Sequence, residues 1–236
     1  MRRVGRLRKT RLVTAASLLY GLVSAEDNVQ ITKHNLRNVR QIDGVYTAIA
    51  DFGEICVYCH TPHSANEAGG VAPIWNKNLN AAGSYTLYGS PTLDTRIGPP
   101  TGVSLICLSC HDGTIGLDVI VNQPGVRGDE GGFAPSGTLM RDTGDPSFNP
   151  RLGQDLSDDH PVSMRYAGPG GANVDPQFHG LATVKAAGLK FFGGASPEDS
   201  QVVECATCHN PHEARNEKFL RIRNVNSNLC KTCHIK

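Results

Sequence analysis

Aromatic side chains are scarce in this chain. Phe, Trp and Tyr together make 6% of it, and Met occurs three times. Glycine and proline are abundant instead, at 26 and 14 residues. Such a composition leaves too little apolar surface for an ordinary side-chain core. An excess of charge of one sign is also missing, with 23 Lys+Arg against 22 Asp+Glu. Long hydrophobic runs are missing too. The one apolar run, residues 12–23, is too short to span a bilayer, and no second long run follows. Cysteine is present, but no cysteine stands outside a single repeated pattern.

The early residues read as an export signal over 1–25. Arg2, Arg3, Arg6, Arg8, Lys9 and Arg11 precede the apolar run, and Val23-Ser24-Ala25 offers a small-residue cleavage site before Glu26. No cysteine follows the run, so a lipid anchor is not indicated. Taking those six basic residues from 23 leaves 17 against 22 acids, a charge of −5 for the expected mature chain. An acidic protein is a poor ligand for nucleic acid or an anionic membrane surface, and it attracts basic redox partners.

All eight cysteines lie in four C-x-x-C-H motifs: Cys56 and Cys59 before His60, Cys107 and Cys110 before His111, Cys205 and Cys208 before His209, and Cys230 and Cys233 before His234. This is the attachment pattern of c-type haem. Two thiols form thioethers to the porphyrin, and the next His gives its imidazole to iron. Zinc ribbons also use paired C-x-x-C, but zinc has no use for a His after every second Cys. A thioredoxin-like site needs one C-x-x-C on a βαβ unit, and no such unit is visible. Structural disulfides would not give four identical spacings. The pattern therefore predicts four covalent haem c groups, with proximal ligands His60, His111, His209 and His234.

The second axial ligand decides what each iron can do. Five His remain: His34, His63, His160, His179 and His212. That number supplies every iron with a second imidazole and leaves one over. Met140 and Met164 are the alternatives, but the His count favours bis-His ligation throughout. His63 and His212 each lie three residues after a proximal His, on that haem's near side. Each must therefore cap a different haem. His160, in Asp158-Asp159-His160-Pro161, is a third candidate cap. His34 is the fourth, on an amino-terminal arm. His179, in a polar turn, is the spare or alternative ligand.

Each haem ring brings several hundred Å² of apolar surface, on the order of 10 kcal/mol when buried. The haems are thus the expected core, and the haem-free chain is expected to be largely unfolded. The fold class expected is mostly irregular coil, with a few short helices and minimal strand, wrapped around a chain of four covalent haems. Residues 26–50 read as an extended arm with one short strand, and 64–104 as mainly loop. The glycines and prolines from 113 to 150 exclude a helix there. Residues 184–192 read as a strand or a turn of helix, and a short helix is expected at each of the last two motifs.

Several stretches resemble the multihaem cytochromes with doubled C-x-x-C-H motifs. They are Thr32-Lys33-His34-Asn35-Leu36, Cys59-His60-Thr61-Pro62-His63, Cys107 to Gly113, Leu156 to Ser163, and Glu204 to His212. Four haems in a chain of this size is similar to the secreted tetrahaem cytochromes of the OmcE type, which polymerise into extracellular nanowires. The resemblance implies a single domain over 26–236, with haem pairs at 56–111 and 205–234 and a loop-rich insert at 112–204. It implies electron transfer with no catalysis, identical subunits as partners, and redox proteins or extracellular acceptors beyond them. It also implies that one axial His can come from a neighbouring subunit, with His34 the first candidate. The location implied is outside the cytoplasm, in an extracellular filament or in the periplasm. A soluble periplasmic shuttle is the main alternative. A nitrite or hydroxylamine reductase is a weaker one, because it needs an iron with one open face and no C-x-x-C-K variant occurs.

Overall fold

A computed structural model describes residues 28–37, 49–67, 74–93, 95, 97–124, 135–145, 149–171, 174–193 and 200–235. The expected export signal, and 38–48 of the arm, lie outside the described residues. Irregular backbone dominates. The helices are α1 (Gly102–His111), α2 (Leu181–Ala186), α3 (Cys205–Cys208) and α4 (Asn228–Cys233), with single 3-10 turns such as Cys56–Tyr58. The two strands, β1 (Met164–Arg165) and β2 (Val202–Val203), pair antiparallel with Met164 opposite Val203. The expected coil-rich architecture with short helices and minimal strand is therefore what is found.

Two local expectations are corrected, and a third is met in both its forms. The arm starts with a 3-10 turn at Val29–Ile31 capped by the Asn28 side chain, and no strand occurs among its described residues. The region read as loop to 104 gives way at Gly102 to the longest helix. Helix α1 ends on Asp112 and Gly113, whose φ of +73° suits a glycine beyond a helix C-terminus. A Cβ at Gly113 would also meet the Arg151 side chain at 2.6 Å. Residues 184–192 hold both alternatives, because α2 runs to Ala186 and Phe192 then bridges to Val202.

Side-chain burial is divided among three small clusters, as the composition requires. One gathers Ile49, Phe52, Tyr58, Leu117 and Met140, with Cys59 and Cys110 packed against it. A second gathers Tyr166, Leu181, Val184, Leu189, Phe191 and Val203, with Met164 and Cys233 at its edge. Tyr85, Leu108 and Leu156 form the third. Both methionines considered as axial ligands thus belong to apolar clusters. Cysteines of three motifs lie at cluster edges, so each small core continues toward a haem attachment point.

A buried carboxylate joins the second and third motifs. Glu204 is 3% exposed. It accepts hydrogen bonds from Ser104 Oγ, from Ser163 Oγ at 3.0 Å and from Thr101 Oγ1 at 3.1 Å. Thr101 and Ser104 begin α1, so the carboxylate also lies where a helix favours negative charge. On its own side, the Glu204 N–H donates to Thr207 Oγ1 at 2.9 Å, forming a capping box for α3. Cys205 N–H completes the joint by donating to Ser104 Oγ at 3.1 Å.

Burial pushes the Glu204 carboxyl above its ordinary range, against the pull of the hydroxyl donors. A carboxyl raised on folding stabilises fully below its unfolded value of about 4.3 and loses that contribution as pH rises through the folded value. Glu204→Gln should therefore gain stability relative to wild type as pH rises from about 4 toward neutrality. Denaturant unfolding of the two proteins across that range measures the difference, and the opposite slope would mean the hydroxyl donors outweigh burial. Glu204→Ala should cost about 1–3 kcal/mol at any pH, because buried hydroxyls lose their acceptor.

Candidate haem-ligating sites

Each motif is one helical turn followed by its histidine. A turn of helix places residues i and i+3 on one side, which brings the two thiols together. The His N–H then bonds back to the first Cys carbonyl: His60 to Cys56 at 2.8 Å, His209 to Cys205 at 3.1 Å and His234 to Cys230 at 2.9 Å. In the second motif the same turn is the last of α1, and His111 is its final residue.

Three proximal histidines share a further device. Beyond the turn the chain extends and pairs antiparallel over three residues with a remote segment. His60 bridges to Trp75, His209 to Leu220 and His234 to Phe178. The second Cys carbonyl accepts from the remote strand in each, from Asn76 at 2.8 Å, Arg221 at 2.8 Å and His179 at 2.8 Å. The residue after the His donates back, Thr61 to Ile74 at 2.9 Å, Asn210 to Phe219 at 2.8 Å and Ile235 to Gln177 at 2.7 Å. Ile74 and Phe219, which hold the same place in this clip, both have left-handed φ, 52° and 60°. That conformation is costly for a β-branched or bulky side chain, and the clip holds it in place.

The candidate axial histidines meet in two pairs. His60 and His212 have ring centres 6.1 Å apart, and His34 and His111 have ring centres 6.2 Å apart. The near-parallel His60–His212 rings stand farther apart than direct stacking allows, and the His34–His111 rings meet edge to face. Two imidazoles on opposite faces of one iron hold their nitrogens about 2 Å from it, which sets the ring centres about 6 Å apart. His212 therefore lies against the proximal ligand of another motif, as its spacing from His209 requires. His34 lies against His111 of its own chain.

Hydrogen bonds at the second ring nitrogen fit the same use. Nδ1 approaches a backbone carbonyl in His111 (Pro150, 2.7 Å), His209 (Lys218, 2.7 Å), His34 (Pro211, 3.2 Å) and His160 (Pro161, 2.9 Å). A carbonyl only accepts, so the proton belongs on Nδ1 and the lone pair on Nε2. Burial, joined by the neighbouring His111 charge, lowers the His34 pKa to about 4. Burial likewise lowers His111, and lowers His212 together with the charge of His60. These imidazoles are held neutral, the form that binds metal.

The sulfur environments suit neutral thioethers. Burial pushes the thiol of Cys59 up to about 12 and those of Cys208 and Cys233 to about 11. A hydrogen bond between Cys107 and Cys205 pushes the first up and draws the second down. That contact brings the first cysteines of motifs two and three side by side. Trp75 adds an indole N–H that is buried without a partner, on a ring 6.0 Å from His60. It is a donor suited to a haem carboxylate. Among the described residues no cluster of three His, Cys, Asp or Glu side chains forms a metal cage, so a zinc-ribbon reading has no site.

No second imidazole is in ring contact with His209 among the described residues. His63 is exposed, and its carbonyl accepts from Thr61 Oγ1 and Asn122 Nδ2. His160 is also exposed. His179, read from sequence as the spare, is fixed at motif four. Its N–H bonds to Cys233, and its carbonyl accepts from Tyr166 Oη at 2.7 Å. Since Phe178 pairs with His234, the alternation of an extended strand turns the His179 ring to the opposite face.

Residues 199–236, which carry motifs three and four, match the family described as the doubled CXXCH motif. No curated protein is significantly similar to the chain. The match supports covalent c-type haem attachment and an electron-transfer role for this part of the chain. Among the described residues, no helix is long and apolar enough to cross a membrane.

The paired rings make a direct prediction. His34→Ala and His212→Ala should each convert one haem from low-spin to high-spin, and the double variant two. Ferric absorption and electron paramagnetic resonance spectra read the fraction. Fully low-spin spectra in both single variants would show that the ring pairs are not axial pairs.

Proposed function

We propose that this chain carries four bis-His c-type haems and passes electrons along them, as the repeating subunit of an extracellular cytochrome filament. The observation that carries the electron-transfer reading is the two imidazole pairs at iron-spanning distance. An iron with imidazole on both faces has no coordination position for a substrate, so outer-sphere electron exchange is the chemistry left to it. This disfavours the reductase reading.

Continuity between sites supports conduction. The loop Asn210-Pro211-His212 follows motif three, caps the His60 site with His212, and steadies His34 at the His111 site through the Pro211 carbonyl. The Cys107–Cys205 contact abuts motifs two and three. Three motifs are thereby tied within a few residues of one another. For the filament, support comes from the resemblance and from the histidines left over. On this reading His63, His160 and His179 supply the caps for the irons on His209 and His234. With His34 occupied in its own chain, the ligand donated between subunits falls to an exposed His, His63 or His160.

Electron microscopy of the secreted fraction tests assembly. The expectation is filaments with a regular subunit repeat. Monodisperse particles at high concentration would remove the filament reading and favour the soluble periplasmic shuttle. His63→Ala and His160→Ala are expected to differ, with one abolishing filaments and the other leaving them intact.

A further inference from the structure

One buried charge has no role in holding the ligands. Lys77 is fully buried, at 0% exposure. Its Nζ donates to the carbonyls of Gly116 at 2.8 Å, Leu117 at 3.2 Å and Val119 at 2.9 Å. Three acceptors use all three hydrogens of an ammonium. Among the described residues no carboxylate pairs with it. The nearest acid in sequence to those carbonyls, Asp118, is spent on Ala50 N–H, on Ser136 N–H and Oγ, and on Gly137 N–H.

Burying an ammonium away from water costs several kcal/mol, and carbonyl dipoles offset only part of it. A neutral side chain would fill this space at lower cost. The position of the charge is what distinguishes it. Lys77 follows Asn76, whose N–H holds the Cys59 carbonyl at 2.8 Å, and the carbonyls it binds belong to the loop just after motif two. Cys59 and Cys110 pack against one apolar cluster there, and Leu117 of that cluster supplies one of the carbonyls that Lys77 binds.

We propose that Lys77 is a potential-setting residue: its buried charge raises the reduction potentials of the haems on His60 and His111 above the values they would have without it. The inference rests on the covalent-haem reading. A ferric haem carries one more positive charge than a ferrous one, so a fixed cation in a low-dielectric interior favours the reduced form.

Redox titration of the purified haem-loaded protein, followed by absorbance and resolved into one-electron components, tests this. Lys77→Gln removes the charge while its amide still donates to the carbonyls. Lys77→Arg keeps the charge. In Lys77→Gln two components should move to lower potential and the rest stay, with haem content and the low-spin spectrum unchanged. In Lys77→Arg none should move. Unmoved components in Lys77→Gln, an equal shift of all components, or a new high-spin fraction would each overturn the assignment. If Lys77→Gln does not accumulate, Lys77→Met carries the same test. Loss of both neutral variants with rescue by Lys77→Arg would assign Lys77 to folding and end the tuning role. Failure of the haem reading is distinct, because that protein would show no haem titration at all.

Discussion

The pairing of imidazoles from remote parts of one chain is the constraint on which the rest of this structure depends. His60 meets His212, and His34 meets His111. Each pair closes a loop far larger than any secondary-structure element here. A chain poor in aromatics, with three small apolar clusters, has little else to hold such distant segments together. With haem bound, a metal–ligand bond and a covalently tethered porphyrin would offset the loop-closure entropy that side-chain packing alone would not. The short turns at motifs one, three and four need only present two sulfurs and end at a histidine.

Hydrogen bonding then fixes the motifs locally. Three motifs end in the same three-residue clip, which fixes the proximal His backbone against a remote extended segment. Carbonyls at Nδ1 fix the imidazole tautomer. Glu204 joins the beginnings of α1 and α3, so the second and third attachment points hold a set relation. Fixed relations matter for electron exchange, since a carrier whose ligands shift on oxidation must reorganise at every step. Charge is arranged with similar economy: burial lowers His34, His111 and His212 and raises Cys59, Cys208 and Cys233, and Lys77 lies buried near two of the motifs with no carboxylate paired to it among the described residues.

Much of this was legible in the sequence, and what was not has a physical reason. Spacing located the four motifs, because C-x-x-C-H is a local pattern read within one helical turn, and the glycine and proline content gave the coil-rich fold. The same spacing sent His212 away from its own motif, and its ring lies beside His60. Sequence did not show that His34 lies beside His111, because that depends on Pro211 and Phe219 far along the chain. The three-residue clip was invisible too. Trp75 and Leu220 follow their histidines at unequal distances and Phe178 precedes its own, so no periodicity marks them. Helix α1 was missed upstream of Cys107 because its glycine start and serines read as loop. Nothing in a Trp-Asn-Lys string announces that Lys77 is buried.

The claim that covalent haem organises this polypeptide is tested most directly by intact-mass measurement of the purified chain under denaturing conditions, read together with its iron content. The account predicts a coloured protein heavier than its polypeptide by four haems, with none released by acid extraction. A colourless chain of bare polypeptide mass that still unfolds cooperatively would contradict it.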